Sequence, residues 1–112
     1  MAVILLSQVP RTAEEWATWH FNHQAHHRDI LSKVQQIYSV HFPEYVLDPV
    51  NEADMGVYTY QHQQMHNNQD PLLGLPQYDL TQVDWRDPAS VEAWVQQNFS
   101  LHQSEALILG ID

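Results

Sequence analysis

The chain has no cysteine, one lysine, three glycines and only four permanent cations in 112 residues. Without cysteine there are no disulfides, thiolate metal sites or cysteine nucleophiles, and the redox compartment stays open. Long hydrophobic runs are missing too. The opening "AVILL" (Ala2 to Leu6) is far too short to span a bilayer. With no basic flank and no small-residue cleavage site, it is not expected to be a signal peptide. The phosphate-cradling glycine loop, G-x-S-x-G, H-E-x-x-H and any recognisable Ser-His-Asp spacing are all lacking. "HNN" (His66 to Asn68) lacks the second histidine of the nuclease motif. The expectation is a protein that is not an enzyme. Positive charge is scarce as well. Arg11, Arg28 and Lys33 balance Glu14, Glu15 and Asp29, so the net charge of −10 resides in residues 34–112, where Arg86 is the only cation. Such a surface repels phosphate backbones, and nucleic-acid binding is not expected. The N-terminal third is the part best able to dock on another acidic body, a second copy of the chain included.

The apolar fraction of 44% suits one folded domain spanning residues 1–112. Thr12 and Glu15 have capping-box spacing downstream of Pro10, which starts a helix over about 12–40. Trp16, His20, His23, His27, Ile30, Val34 and Ile37 then recur in steps of three and four, one continuous helix face. "HFPEYVLDPVNE" (41–52) is an extended connection with two prolines. A second helix over 53–69 has Asp54 near its start and Val57, Tyr58, His62, Met65 and His66 on one side. The turn-rich stretch 70–88 reads as an ordered loop packing Leu72, Leu73, Leu75, Leu80, Val83 and Trp85 onto the body. Asp87 as N-cap and Pro88 at the first helical position open a third helix to 109, which Gly110 closes. The fold class is mainly α: a small three-helix bundle with an extended N-terminal arm (1–10) and ordered Pro/Gly-rich loops.

A weak repeat links these elements. Tyr58, His62, His66 and "LLGL" align with Trp94, Asn98, His102 and "LILGI" at an offset of 36, and Trp19, His23, His27 carry the same aromatic-x3-polar-x3-His rhythm. Residues at i and i+4 share a helix face, so His23/His27 and His62/His66 are candidate ligands for Zn, Ni or Fe. The preferred alternative is a hydrogen-bonded polar layer without cofactor. Neutral imidazole donates once and accepts once, and Asn98 in a histidine's place suits a layer better than a ligand set. His26 and His41 fall off the seam and are expected at the surface, as are the thirteen glutamines.

The apolar start either pairs with a neighbouring subunit, Val3, Ile4, Leu5 and Leu6 being the attaching residues with Arg11 and Trp85, or folds back over its own core. The segments "HQQMHN", "LLGLPQYDL", "VDW" and W-x3-N-x3-H ending in "LGI" resemble small structural proteins encoded among the virion genes of tailed bacteriophages. With W-x3-H-x3-H of the first helix, the resemblance covers most of the chain. It departs from the pattern at Asn98, and no residue of it marks a partner surface. It implies a head–tail, tail or capsid-associated subunit, assembled in the host cytoplasm, whose partners are other virion proteins and copies of itself. Two other functions remain open: a histidine-ligated metal-binding protein, and an acidic inhibitor that mimics nucleic acid.

Overall fold

The computed structural model describes residues 4–43 and 55–111. Val3, Asp54 and most of the 41–52 connection lie outside them. Among the described residues there is no strand, and no helix is long and apolar enough to cross a membrane. Helix α1 runs Ala13–Tyr38, α2 Met55–Gln69 and α3 Pro88–Leu109, with a 3-10 turn Asp70–Leu73 prolonging α2.

Local chemistry places the ends. The Thr12 hydroxyl accepts from Glu15 N at 3.1 Å, while the Glu15 carboxylate accepts from Arg11 N at 2.8 Å, one residue upstream of the standard reciprocal bond. Asp87 accepts from Ala89 N at 3.1 Å with Pro88 behind it. Gly74 (φ 71°) and Gly110 (φ 73°) both adopt the left-handed conformation that the two Leu-Gly endings suggest. After each, a backbone N–H closes the turn: Leu75 N on Asp70 O and Ile111 N on Ala106 O, both at 3.0 Å.

The repeat has a topological consequence. Trp19, Tyr58 and Trp94 meet at one end, with ring centroids 5.7 Å (Trp19–Trp94) and 6.3 Å (Tyr58–Trp94) apart. Ile30, Val34, Leu73 and Leu109 meet at the other. Each helix therefore runs from the aromatic end to the aliphatic end, and all three are parallel. Residues 74–87 return the chain from the foot of α2 to the head of α3. On the way Leu80 is buried in the aromatic cluster, and its carbonyl accepts from Trp94 Nε1 at 3.1 Å. Gln63 secures this return: its Oε1 accepts from Leu80 N at 2.7 Å and its Nε2 donates to Tyr78 O at 2.9 Å. Gln63 and Gln69 are thus interior, contrary to the surface role expected of the glutamines.

Several expected packing partners sit elsewhere. Ile37 is exposed (51%) beyond the last buried residue of its stripe, Val34, and Val57 is exposed (59%) because Tyr58 is the one turned inward there. Leu72 stays at the surface of its turn while Leu73 enters the core. The N-terminal segment folds back on its own body. Ile4 is in the aromatic cluster, Trp19 Nε1 donates to Leu6 O at 3.3 Å, and Gln96 Nε2 donates to Ser7 O at 2.7 Å. An arm whose Ile4 is already buried is not extended toward a neighbour.

Candidate metal centre

Between the aromatic and aliphatic ends the repeat stacks polar side chains in tiers along the bundle axis. His23, His62 and Asn98 form one tier; His27, His66 and His102 form the next; Ile30, Gln69 and Glu105 follow. Matching members stand 39 and 36 residues apart, and every one is at most 1% exposed. The lower histidine tier is nearly an equilateral triangle, with ring centroids 4.3 Å (His27–His102), 5.0 Å (His27–His66) and 5.0 Å (His66–His102) apart.

The rings bring several Nε2 atoms close to one another. His23 Nε2 is 3.0 Å from His27 Nε2 and 3.2 Å from His102 Nε2, and His62 Nε2 is 3.2 Å from His66 Nε2. One ligand atom from each of His23, His27, His62 and His102 lies within 4.8 Å of all the others, and His66, His102 and Glu105 form a second, overlapping group. The outer nitrogens meet other partners. His23 Nδ1 faces Tyr58 Oη at 3.2 Å, His66 Nδ1 faces Glu105 Oε2 at 3.0 Å, and His102 Nδ1 faces His26 Nδ1 at 2.7 Å. Trp19 stacks on His23 at 4.5 Å and closes the cluster from the aromatic end.

A layer held by hydrogen bonds alone does not satisfy its members. Neutral imidazole has one lone pair and one N–H. Yet His23 Nε2 confronts His27 Nε2, His102 Nε2 and, at 3.1 Å, the Asn98 amide nitrogen, and can bond only one of them well. Asp70 and Glu105 bond each other, whereas His27 Nδ1, His62 Nδ1, Asn98 Oδ1 and Gln69 Oε1 are buried without a hydrogen-bond partner. Each such group costs about 1–3 kcal/mol. The cluster needs something its own atoms do not provide.

Electrostatically the interior is near neutral. Burial, reinforced by the neighbouring imidazoles, holds His23, His27, His62 and His102 well below their ordinary value. Burial also pushes His66 down to about 4, against the pull of Asp70. Burial pushes Asp70 up to about 9, helped by Glu105 beside it, and Glu105 up to about 7. Two of the acids counted toward the net charge are therefore inside, Asp70 largely protonated and Glu105 partly so at neutral pH, which weakens the nucleic-acid-mimic expectation. They are also the groups able to ionise and balance a cation placed in the cluster.

Of the ligands expected from sequence, His23, His27, His62 and His66 all join this cluster. The sequence reasoning missed His102, Glu105, Asp70 and Tyr58 as site residues. His102 was legible as the repeat partner of His66, and Glu105 as the next inward position after it on α3. His26, expected at the surface, is half-buried against His102, whereas His41 is exposed. Of the expected attachment residues, Val3 lies outside the described residues, Ile4 is core, Leu5 is exposed and Leu6 half-buried. Arg11 and Trp85 line a surface groove of about 780 Å³ with Trp16, Arg86 and Val91. Trp85 is held there by its Nε1 donating to Thr59 Oγ1 at 3.0 Å. Comparison of the chain with protein-family models, curated proteins and solved structures finds no match.

Proposed function

We propose that this protein is a metal-binding helical domain holding one divalent transition-metal ion between the imidazoles of His23, His27, His62 and His102. The observation that carries this is the direction of the rings. His23 Nε2 stands within 3.2 Å of both His27 Nε2 and His102 Nε2 in a buried cluster, while the Nδ1 atoms of His23 and His102 reach a phenol and another imidazole. Such outer partners fix the Nδ1–H tautomer and leave the Nε2 lone pair for an ion. Spacing agrees. With metal–nitrogen bonds of about 2.1 Å, neighbouring donors stand roughly 3.0 Å apart at right angles and roughly 3.4 Å apart at tetrahedral ones. The contacts here are 3.0 and 3.2 Å. Imidazole nitrogens suit Zn2+, Ni2+ and Fe2+. A site whose ligands are all buried leaves no position for a substrate, so the ion stabilises and organises the bundle.

Protein purified without an affinity tag of histidines, loaded with Ni2+ and dialysed, should retain one ion per chain by elemental analysis. His23→Ala and His62→Ala, checked for helix content by circular dichroism, should retain almost none. Wild-type protein that emerges metal-free after loading would refute the proposal.

A second reading, the bacteriophage structural subunit, is favoured by apolar side chains left bare on the surface. Phe21 on α1 is 76% exposed and Leu107 on α3 81%. Such groups mark a surface that other proteins cover where they join into one contiguous patch. On this reading the ion stiffens a passive building block joined to virion proteins and to its own copies. Removing the N-terminal segment is a poor test, because Ile4 and the Leu6 carbonyl belong to the fold. Phe21→Ser with Leu107→Ser should leave melting unchanged while abolishing incorporation into particles. Normal incorporation of the double variant speaks against the subunit role.

A further inference from the structure

Two of the chain's four permanent cations, Arg11 and Arg86, share the groove of about 780 Å³. Its lining comes from residues that open α1, among them Trp16, and from residues that open α3, among them Trp85 and Val91. Glu92 is the one carboxylate there, so the groove holds two cations against one acid, on a chain with four against fourteen. Both indoles are fixed in place. Trp16 packs edge-on to Trp19 and stacks on His20, with ring centroids 5.7 and 5.5 Å apart. Trp85 packs edge-on to Trp94 at 4.8 Å, in addition to its bond to Thr59. The acids beside the arginines in sequence are engaged by backbone: Glu15 accepts from Arg11 N, Asp84 from Arg86 N and Asp87 from Ala89 N. Among the described residues neither guanidinium is in an ion pair. Trp85 and Arg86 also line a second hollow, of about 280 Å³, with Met55 and Val83. The two hollows thus share one Trp–Arg wall and form an elongated trough.

We infer that this trough is a docking site for an extended acidic peptide of another protein, whose apolar side chains enter the two hollows while its carboxylates meet Arg11 and Arg86. The inference is independent of the metal centre. Charge complementarity selects the occupant. Elsewhere on residues 34–112 a carboxylate meets like charge, so an acidic segment is steered to the two guanidiniums, whose planar forks match carboxylate oxygens. Tryptophan and arginine are the side chains that carry most binding energy at interfaces, and rings already held by Thr59, Trp94 and Trp19 lose little freedom on binding. Hollows on either side of one wall suit the successive side chains of an extended chain. A long phosphate polymer runs past the two arginines onto acidic surface and is repelled. A second copy brings its own net charge of −10, of which two arginines offset little.

The probe is a fluorescein-labelled peptide in which glutamates alternate with tryptophan and leucine, followed by fluorescence anisotropy at low ionic strength. It should bind the wild-type protein, and added salt should weaken binding steeply, because both guanidiniums are exposed. The same peptide with glutamine in place of glutamate should bind at least about tenfold more weakly. Arg11→Gln with Arg86→Gln should weaken the acidic peptide to a similar degree. Helix content by circular dichroism should stay the same, since the backbone bonds of both residues remain. A wild-type protein that ignores the acidic peptide overturns the inference. So does equal binding of the glutamine peptide, or undiminished binding by the double variant. A thymidine oligonucleotide that binds as tightly as the acidic peptide, and is lost in the double variant, replaces the peptide with nucleic acid. A wild-type dimer that the double variant dissociates in analytical ultracentrifugation replaces it with a second copy, and either result overturns the inference.

Discussion

Saturation with Ni2+ should raise the melting temperature of the protein by roughly 15 °C over the chelator-treated form if the proposed site holds an ion. An ion that binds the folded chain alone stabilises it by mass action, about 4 kcal/mol at a thousandfold excess over the dissociation constant. For a domain of this size each kcal/mol moves the midpoint by roughly 4 °C. The gain is large here because the ion relieves contacts that the metal-free core cannot satisfy. With an ion bound, the crowding of His27 and His102 around His23 Nε2 would turn from unmet hydrogen bonding into shared ligation. Weak capture of Ni2+ by histidines of the unfolded chain trims the increment without cancelling it. His27→Ala should remove the increment, leaving one melting temperature with and without metal. Differential scanning calorimetry with and without saturating Ni2+ is the measurement. Identical wild-type curves would mean that the folded cluster holds no ion.

Acid should unfold the metal-free protein between about pH 6 and 4.5, a window set by the buried rings. His23, His27, His62 and His102 are held well below their ordinary value, and His66 is down to about 4. In the unfolded chain all five take up protons below about pH 6.5. The unfolded state then binds more protons, so stability falls as pH drops. Asp70 and Glu105 act in the opposite sense. Their folded values of about 9 and about 7 mean that the native state keeps protons which the unfolded chain loses above the ordinary carboxylate range. Near pH 5.5 the five histidines outweigh the two carboxyls by about three protons, a slope of about 4 kcal/mol per pH unit. Against a typical total of about 5–15 kcal/mol, one to two pH units suffice. Above neutrality only the carboxyls contribute, and stability declines gently toward pH 9. Urea titrations followed by circular dichroism from pH 9 to 4.5 should trace this asymmetric maximum. Replacing His27 with Leu should lower the acid slope by about 1.4 kcal/mol per unit. Equal stability at pH 7 and pH 5 would show that the rings are not buried in neutral form.

Much of the helical framework was legible because it depends on local chemistry. Thr12, Asp87 with Pro88, and Gly110 act within one turn of where they stand, and they mark helix ends correctly. Periodicity placed the inward stripe of α1 down to Val34 but carried it too far, to Ile37. The pattern does not reveal where a neighbouring helix stops covering the face. The site was half legible. Each i, i+4 histidine pair is visible within one helix, whereas His102 and Glu105 acquire their meaning only beside α1 and α2.

By itself, the sequence determined three helices, their caps, the paired imidazoles and the 36-residue rhythm, since all of these follow from backbone stereochemistry and side-chain spacing along one chain. Tertiary structure decided that the helices run parallel, that the segment after Val3 folds home, and that His23, His27, His62 and His102 bring ring nitrogens together in one buried cluster. Which nitrogen faces which depends on packing between residues up to 79 positions apart. Burial, which drives the imidazoles neutral and makes their lone pairs available, exists only once the three stripes close on one another.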